Sequence, residues 1–339
     1  MRTIPFTKGL HQIGEGIYTY LQPDGSWGLN NAGLIVSDKQ ALLVDTLYDY
    51  KHTSEMLAEI KKIIDPTVKV DYLINTHSNG DHYFGNGLVE GAKIISSEIC
   101  AKEMEDIAPS KMAFLMKIWW LLGKGGRYLH KSFKQFDFRG IPLVLPHQVF
   151  QDSMILSVGK KRIELLEVRD AHTASDTMVY LPKDKIIFCS DLLFIEGTPV
   201  VWTKGVQSWI AALDKINSLD VDRIVPGHGP VTDKNGVSKL KVYFEHIYSE
   251  TKKRFSKNMS ILDASLDIDL KEYKRWGDPE RLVTTVHAIY QELKPTMKPL
   301  GMLSLFALMY NYECNNSKSL GSNQNNVNRL VSCLQQKGK

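Results

Sequence analysis

Hydrophobic residues along the chain recur with two different periods. Short apolar runs, "GIYTYL", "NAGLIVS" and "QALLVDT", are divided by "QPDGSWG" and "SDK", whose Gly, Pro and Asp residues punctuate strands. From Thr53 the spacing changes. Met56, Leu57, Ile60, Ile63 and Ile64 repeat at helical intervals, predicting a helix over 53–64 capped by Thr53 or Ser54. "VDYLIN" then predicts a buried strand. "AKIISS" predicts another, with a helix starting at about Glu98.

Residues 104–146 break this rhythm. "KMAFLMKIWWLLGKGG" is apolar over a helical length, and "RYLHKSFKQFDFRG" reads as a basic, aromatic loop after it. Strand-like runs resume with "MILSVGKKRIELLEV", "TMVYLP" and "KIIFCSD". "VQSWIAALDKINSL" predicts an amphipathic helix, and "DRIVPGHGP" a short strand with a loop. From Val237 to about Lys294 the pattern is mostly helical. The last segment is rich in Asn and Ser, so residues 311–339 are expected to form a mobile tail, with "VNRLVSCL" as a candidate short helix inside it. Strands and helices alternating in two β-rich halves suit sheets flanked by helices, with chemistry in loops at one edge.

Composition narrows the picture only a little. The 339 residues are 43% hydrophobic and 24% charged, ordinary globular usage with ample material for a core. A net charge of +4, spread over the chain, argues against a nucleic-acid or anionic-membrane partner. The four cysteines have no C-x-x-C spacing and read as reduced structural thiols. The N-terminus "MRTIPFTKGLHQIGEG" has no signal-like apolar region. The longest apolar runs fall short of the ~20 residues that span a bilayer. The expectation is a soluble cytoplasmic protein with a small-molecule substrate, no membrane span and no nucleic-acid partner. The oligomeric state is left open.

Ten histidines are present, and position sorts them. His77 and His82 flank Asp81 in "HSNGDH", His172 lies in "RDAHTASD", and His228 lies in "PGHGP". Asp191 ends "KIIFCSD". All six follow β-like runs. Imidazole nitrogen and carboxylate oxygen are zinc donors, and rigid strands with short loops can aim them at one point. A lone loop histidine is usually a surface residue or a satisfied hydrogen-bonder. Four at strand ends, two with aspartate close by, point to a metal site. His11, His52, His130, His147, His246 and His287 lack such company and read as structural.

In this order the motifs resemble the metallo-β-lactamase superfamily, with its H-x-H-x-D-H loop, later G-H-T, strand-ending Asp and final G-H-G. "LLVDT", ending in Asp45 and Thr46, resembles the family's early strand. The likeness covers about residues 10–245. "DPERLVTTVHAIYQELKP" resembles a C-terminal helix of one hydrolase subgroup. The resemblance implies an α/β fold, a four-layer αββα sandwich over residues 1–245 with a helical insert at about 104–146. A helical C-terminal extension is expected over 246–310. It further implies one metal held by His77, Asn79 and His172, a second held by Asp81, His82 and His228, and Asp191 bridging the two.

Asn79 departs from the family pattern, which has histidine there. A carboxamide is neutral and suits harder ions than zinc. Loss of a strong ligand implies a few kcal/mol less affinity at that site, judged against ~10–16 kcal/mol for four structural ligands. One or two zinc ions are therefore expected, the second weak, with iron as the alternative. The implied activity is a metallo-hydrolase: metal-bound hydroxide attacks an ester, lactone, thioester or sulfate ester carrying an apolar moiety. Asp81 would orient the water and pass protons. Trp119 and Trp120 in the insert, and Trp202 in "TPVVWTKG", are the candidate substrate contacts; the plainer alternative is a helix packed on the sandwich. Two other classes remain: a mononuclear iron dioxygenase acting on thiols or persulfides, and a metal-poor, non-catalytic relative.

Overall fold

A computed structural model describes residues 4–320. Two mixed sheets face each other. The first runs β1 (Gly9–Gly14), β2 (Ile17–Leu21), β3 (Ala32–Ser37), β4 (Gln40–Val44), β5 (Lys69–Ile74), β6 (Lys93–Ser97) and β7 (Gln148–Phe150), in that spatial order. β1 to β4 are antiparallel, and β4 to β7 parallel. The second contains β8 (Ser153–Val158), β9 (Lys161–Arg169), β10 (Ser175–Leu181), β11 (Ile186–Phe194) and β12 (Arg223–His228). Its strands are antiparallel except for the parallel β11–β12 pair.

The strands read as continuous apolar runs because both faces are covered. In β4, Leu42 and Val44 join a core between the sheets, with Ile163, Leu165 and Phe188 of the second sheet. Ala41 and Leu43 point the other way, onto Met56 and Ile60 of α1 (Tyr50–Ile63). β11 repeats the pattern: Ile186 and Phe188 face the other sheet, while Ile187 and Cys189 face a helical layer. That layer includes α5 (Val206–Ser218), α6 (Lys234–Phe255) and α8 (Leu282–Leu293). The four-layer αββα order is therefore the one expected.

Several local readings change. The α1 cap is Asp49, whose carboxylate accepts from the His52 N–H, and the helix starts three residues before Thr53. Thr53 instead lies buried inside it, its hydroxyl accepting from the Leu47 N–H. α2 (Glu98–Asp106) starts where predicted and is capped by Ser97. The insert holds α3 (Pro109–Ile118) and α4 (Gly123–Phe133), so the first part of the supposed loop at 127–140 is helical. The expected boundaries at 245 and 310 fall inside α6 and α9 (Met302–Leu320), where apolar positions continue unbroken. α7 (Ile261–Asp267) packs against α8. Residues 311–320 thus belong to a helix, while 321–339, with Cys333 and "VNRLVSCL", lie outside the described residues.

The glycines in α4 weaken it as an isolated helix. Their use is contact. A Cβ on Gly125 would lie 2.3 Å from the Leu303 carbonyl oxygen of α9. The bare backbone lets α4 and α9 approach closely. Gly125→Ala should force them apart and lower stability by about 1–3 kcal/mol, as overpacking does. Urea denaturation checks this: an unchanged midpoint would mean the two helices are not tightly seated.

Candidate metal centre

Loops at one edge of the sandwich bring the seven predicted donors together. His77, Asn79, Asp81 and His82 follow β5, with Gly80–His82 forming a single 3-10 turn. His172 sits in the β9–β10 connection and His228 ends β12. The His172 loop is held by Asp176, whose carboxylate accepts from the Thr173 N–H and hydroxyl. Asp191 was expected to end its strand but lies within β11, which continues to Phe194 across an irregularity in its pairing with β12. A Cβ on residue 227 would lie 1.9 Å from Asp191 Oδ1, so Gly227 makes room for that carboxylate.

Two groups of donor atoms result, each within 4.8 Å of its own members: His77, His172 and Asp191, and Asp81, His82 and His228. Asp191 stands between them. Its Oδ2 lies 3.3 Å from His172 Nε2, 3.4 Å from His228 Nε2 and 3.8 Å from His77 Nε2, and its Oδ1 lies 3.2 Å from His82 Nε2. Asp81 Oδ2 is 3.5 Å from His228 Nε2 and 3.8 Å from His82 Nε2.

Every ring is anchored by its other nitrogen. His82 Nδ1 donates to Asp45 Oδ2 at 2.8 Å, His172 Nδ1 to the Val200 carbonyl at 2.8 Å, and His228 Nδ1 to the Gly25 carbonyl at 3.0 Å. His77 Nδ1 lies 3.1 Å from Thr76 Oγ1. This leaves the four Nε2 atoms turned inward, the arrangement of histidines whose far N–H is held by outer partners. Asp45 is the residue that sequence reasoning undervalued. It is buried at the end of "LLVDT" and also accepts from the Thr76 N–H and hydroxyl.

The residues fit a cation. His77 Nε2, His82 Nε2 and Asp191 Oδ1 are buried without hydrogen-bond partners, a costly state that a bound ion would relieve. Asn79 adds a second sign. Its Oδ1 accepts from Trp202 Nε1 at 3.1 Å, which fixes the amide orientation. The same oxygen lies 2.7 Å from His172 Nε2. Burial holds His172 down to about 4, so at neutral pH the ring is uncharged and carries one hydrogen. With that hydrogen on the Val200 carbonyl, two lone pairs face each other across 2.7 Å. A cation between them would satisfy both.

Charge balance is uneven inside the cluster. Burial alone would raise Asp191, but His228, His82 and His172 hold it well below the carboxylate range. Burial opposes a charge on His82, yet Asp191, Asp45 and Asp81 keep it well above the usual imidazole value. Burial, with His82 beside it, pushes His77 well below. His228, opposed by burial and favoured by Asp191, is pushed up to about 9.

The cluster opens into a cavity of about 350 Å³ with largely apolar walls, including Tyr48, Phe84, Met112, Phe133 and Phe306. Trp202 lines it. Trp119 and Trp120 do not: Trp119 stacks on His130 at 4.2 Å and Trp120 points to solvent. Both lie in a 3-10 turn that follows α3, where the sequence reads as one continuous apolar stretch of helical length. Unforeseen walls come from Trp27 and Arg281. The Arg281 guanidinium lies 4.3 Å from the Trp27 ring centroid and pairs with Asp278 at 2.8 Å. Trp27 Nε1 donates to Tyr128 Oη, which donates to Glu280 Oε1 at 2.7 Å. Nothing in the linear pattern marks residues 27 and 281 as neighbours. The remaining histidines have local partners, as with His52 on Asp49 and His147 Nδ1 accepting from the Ile94 N–H.

Comparison with known proteins bears on this geometry. The family model described as the metallo-beta-lactamase superfamily matches residues 25–228. The chain is 26% identical over 217 residues to a beta-lactamase-like protein 2 homolog of Caenorhabditis elegans, covering 64% of this chain and 61% of that protein. It is 23% identical over 229 residues to a linear primary-alkylsulfatase of a Pseudomonas species, covering 61% and 43%. The solved structure of a stereoselective inverting sec-alkylsulfatase from Pseudomonas sp. superposes with a TM-score of 0.62 at 14% identity, over 86% of this chain and 51% of that one. The chain thus spans roughly half of each relative's length.

Two outcomes follow from the geometry. Asp45→Ala should weaken metal uptake by about 10–100-fold in chelator competition, the usual effect of losing an outer partner of a ligating histidine. Unchanged affinity would remove Asp45 from the site. Burial, with Glu313 and Asp278 nearby, lifts Glu280 from 4.5 to about 7. A folded carboxyl with the higher value binds more protons than the unfolded one, so stability is present below 4.5 and is lost as pH rises through about 7. Glu280→Gln keeps an acceptor for Tyr128 and should flatten thermal stability between about pH 5 and 8. A wild-type curve already flat there would contradict the shift.

Proposed function

The chain belongs to the metallo-β-lactamase superfamily, and from that premise we propose that it is a metal-dependent hydrolase of a small ester-type substrate carrying an apolar chain, with alkyl sulfate esters the first class to test. One observation carries this reading: the orphaned donors of His77, His82 and Asp191 belong to a cluster that meets a largely apolar cavity through Asp81, His172, Asp191 and His228. The alkylsulfatase likenesses support sulfate esters within that class. A cation held by His77, Asn79, His172 and Asp191, or by Asp81, His82, His228 and Asp191, would supply Lewis acidity and lower the pKa of a coordinated water to about 7.

The chain's own residues supply the rest. The walls at Tyr48, Phe84 and Phe133 bury the apolar part of the substrate and exclude bulk water from the reacting bond. Asp81 lines the cavity and keeps a partly exposed carboxylate. Burial would raise that group, but His82 and His228 hold it low, so it stays ionised. It can orient the attacking water at Oδ2 and accept its proton. Trp202 fixes the Asn79 amide, and the Val200 carbonyl fixes His172. Both hold donors in place before substrate arrives.

The test joins elemental analysis with activity. Protein purified without chelator should carry about one equivalent of transition metal or more, and should release sulfate from medium-chain alkyl sulfates or alcohol from matched esters. Asp81→Ala should cut turnover by about 100-fold or more with the fold intact. Metal below about half an equivalent with no recovery on adding zinc would end the metalloenzyme reading. Bound iron with oxygen uptake on thiol substrates would replace hydrolysis with redox chemistry.

A further inference from the structure

The insert carries a surface that the hydrolase reading does not use. Residues 107–136 contain six basic side chains, Lys111, Lys117, Lys124, Arg127, Lys131 and Lys134, and no Asp or Glu. That leaves 36 basic residues against 38 acidic in the rest of the chain. The positive charge is therefore concentrated here, unlike the even spread suggested by the composition. All six side chains are exposed. Among the described residues an ion pair is recorded for Lys131 alone, with Glu313.

Large apolar side chains are exposed among them. Phe114 is 59% exposed, Trp120 65% and Leu121 62%. Lys111, Phe114 and Lys117 recur every three residues along α3, so lysines and an apolar group share one face, and Trp120 and Leu121 lie in the 3-10 turn that follows, just before Lys124 at the start of α4. Single exposed apolar residues are ordinary. Three within residues 114–121, set among lysines in a stretch with no Asp or Glu of its own, have the makeup of a segment lying in a lipid interface. There Trp and Leu enter the headgroup region while lysine stems reach back to anionic headgroups.

We propose that this face of α3, with Trp120, Leu121 and Lys124, docks on an anionic lipid surface. A second copy of the chain fits less well, because a two-fold contact would set these lysines against their own copies. The opposite side of the same insert lines the cavity through Ile107, Met112 and Phe133. Docking would therefore bring the cavity wall beside the lipid, from which an amphiphilic substrate could be taken. That last consequence rests on the hydrolase reading, whereas docking itself does not.

Vesicle co-sedimentation of the full chain separates the two ideas, because it reads binding and not turnover. Pelleting should be at least about tenfold stronger with phosphatidylcholine vesicles holding about 30 mol% phosphatidylglycerol than with phosphatidylcholine alone. It should fall steeply by about 0.5 M salt. The double variant Trp120→Ala, Leu121→Ala and the double variant Lys117→Gln, Lys124→Gln should each lose most of it while keeping the wild-type circular dichroism. Equal pelleting with neutral and anionic vesicles overturns the proposal, as does no pelleting at all. A wild-type dimer in sedimentation velocity that Trp120→Ala, Leu121→Ala converts to monomer would assign the face to self-association and overturn it too. The wild-type lipid and salt comparison stands even if a variant fails to fold.

Discussion

The fold's functional edge turns on one buried carboxylate. Asp191 has four imidazoles facing it, from loops separated by as many as 151 positions, His77 to His228. Such a cluster is expensive to bury unless something neutralises and satisfies it. Each ring is fixed from behind by a carbonyl, a carboxylate or a hydroxyl, which turns the four Nε2 atoms inward and leaves those of His77 and His82 without a hydrogen-bond partner. The sandwich thus holds open a cluster of donors that would fit a cation.

Much of this was legible in the sequence. The inward donors sit in short loops directly after apolar runs, and a strand followed by a glycine-flanked His or Asp is a local signal. The sheets were legible as short continuous apolar runs such as "ALLV" and "IIFC", as expected of strands buried on both faces. What stayed hidden depends on contacts between distant segments. Asp45 looked like the end of a strand and proves to be the anchor of His82. Trp27 and Arg281 gave no periodic or motif signal, yet stack on each other in the cavity wall. Residues 127–133 of α4 were read as the start of a basic, aromatic loop; contact with α9 holds them helical despite the glycines that precede them. The insert tryptophans fall in the 3-10 turn after α3 and do not line the cavity.

The asparagine in "HSNGDH" acquires a physical meaning from its neighbours. An amide presents one oxygen and one NH2 group, and Trp202 decides which faces His172 by donating to the oxygen. Residue 79 is thereby tied to the loop after β11, so the metal-facing edge and the cavity rim share a side chain. A histidine in its place would offer a stronger donor but no oxygen for the indole N–H. The site trades basicity for a link to its own wall.

The donors sit in turns and strands, whereas part of the wall is carried by helices. Every inward-facing ligand lies between residues 77 and 228, within the region common to the superfamily. Much of the apolar enclosure is added by the insert and by Met302 and Phe306 of α9, which closes against α4. Those additions can drift in shape while the cluster stays fixed. Descendants of one ancestor can thus acquire new appetites by remodelling two peripheral helices, without ever disturbing the reactive heart they inherited.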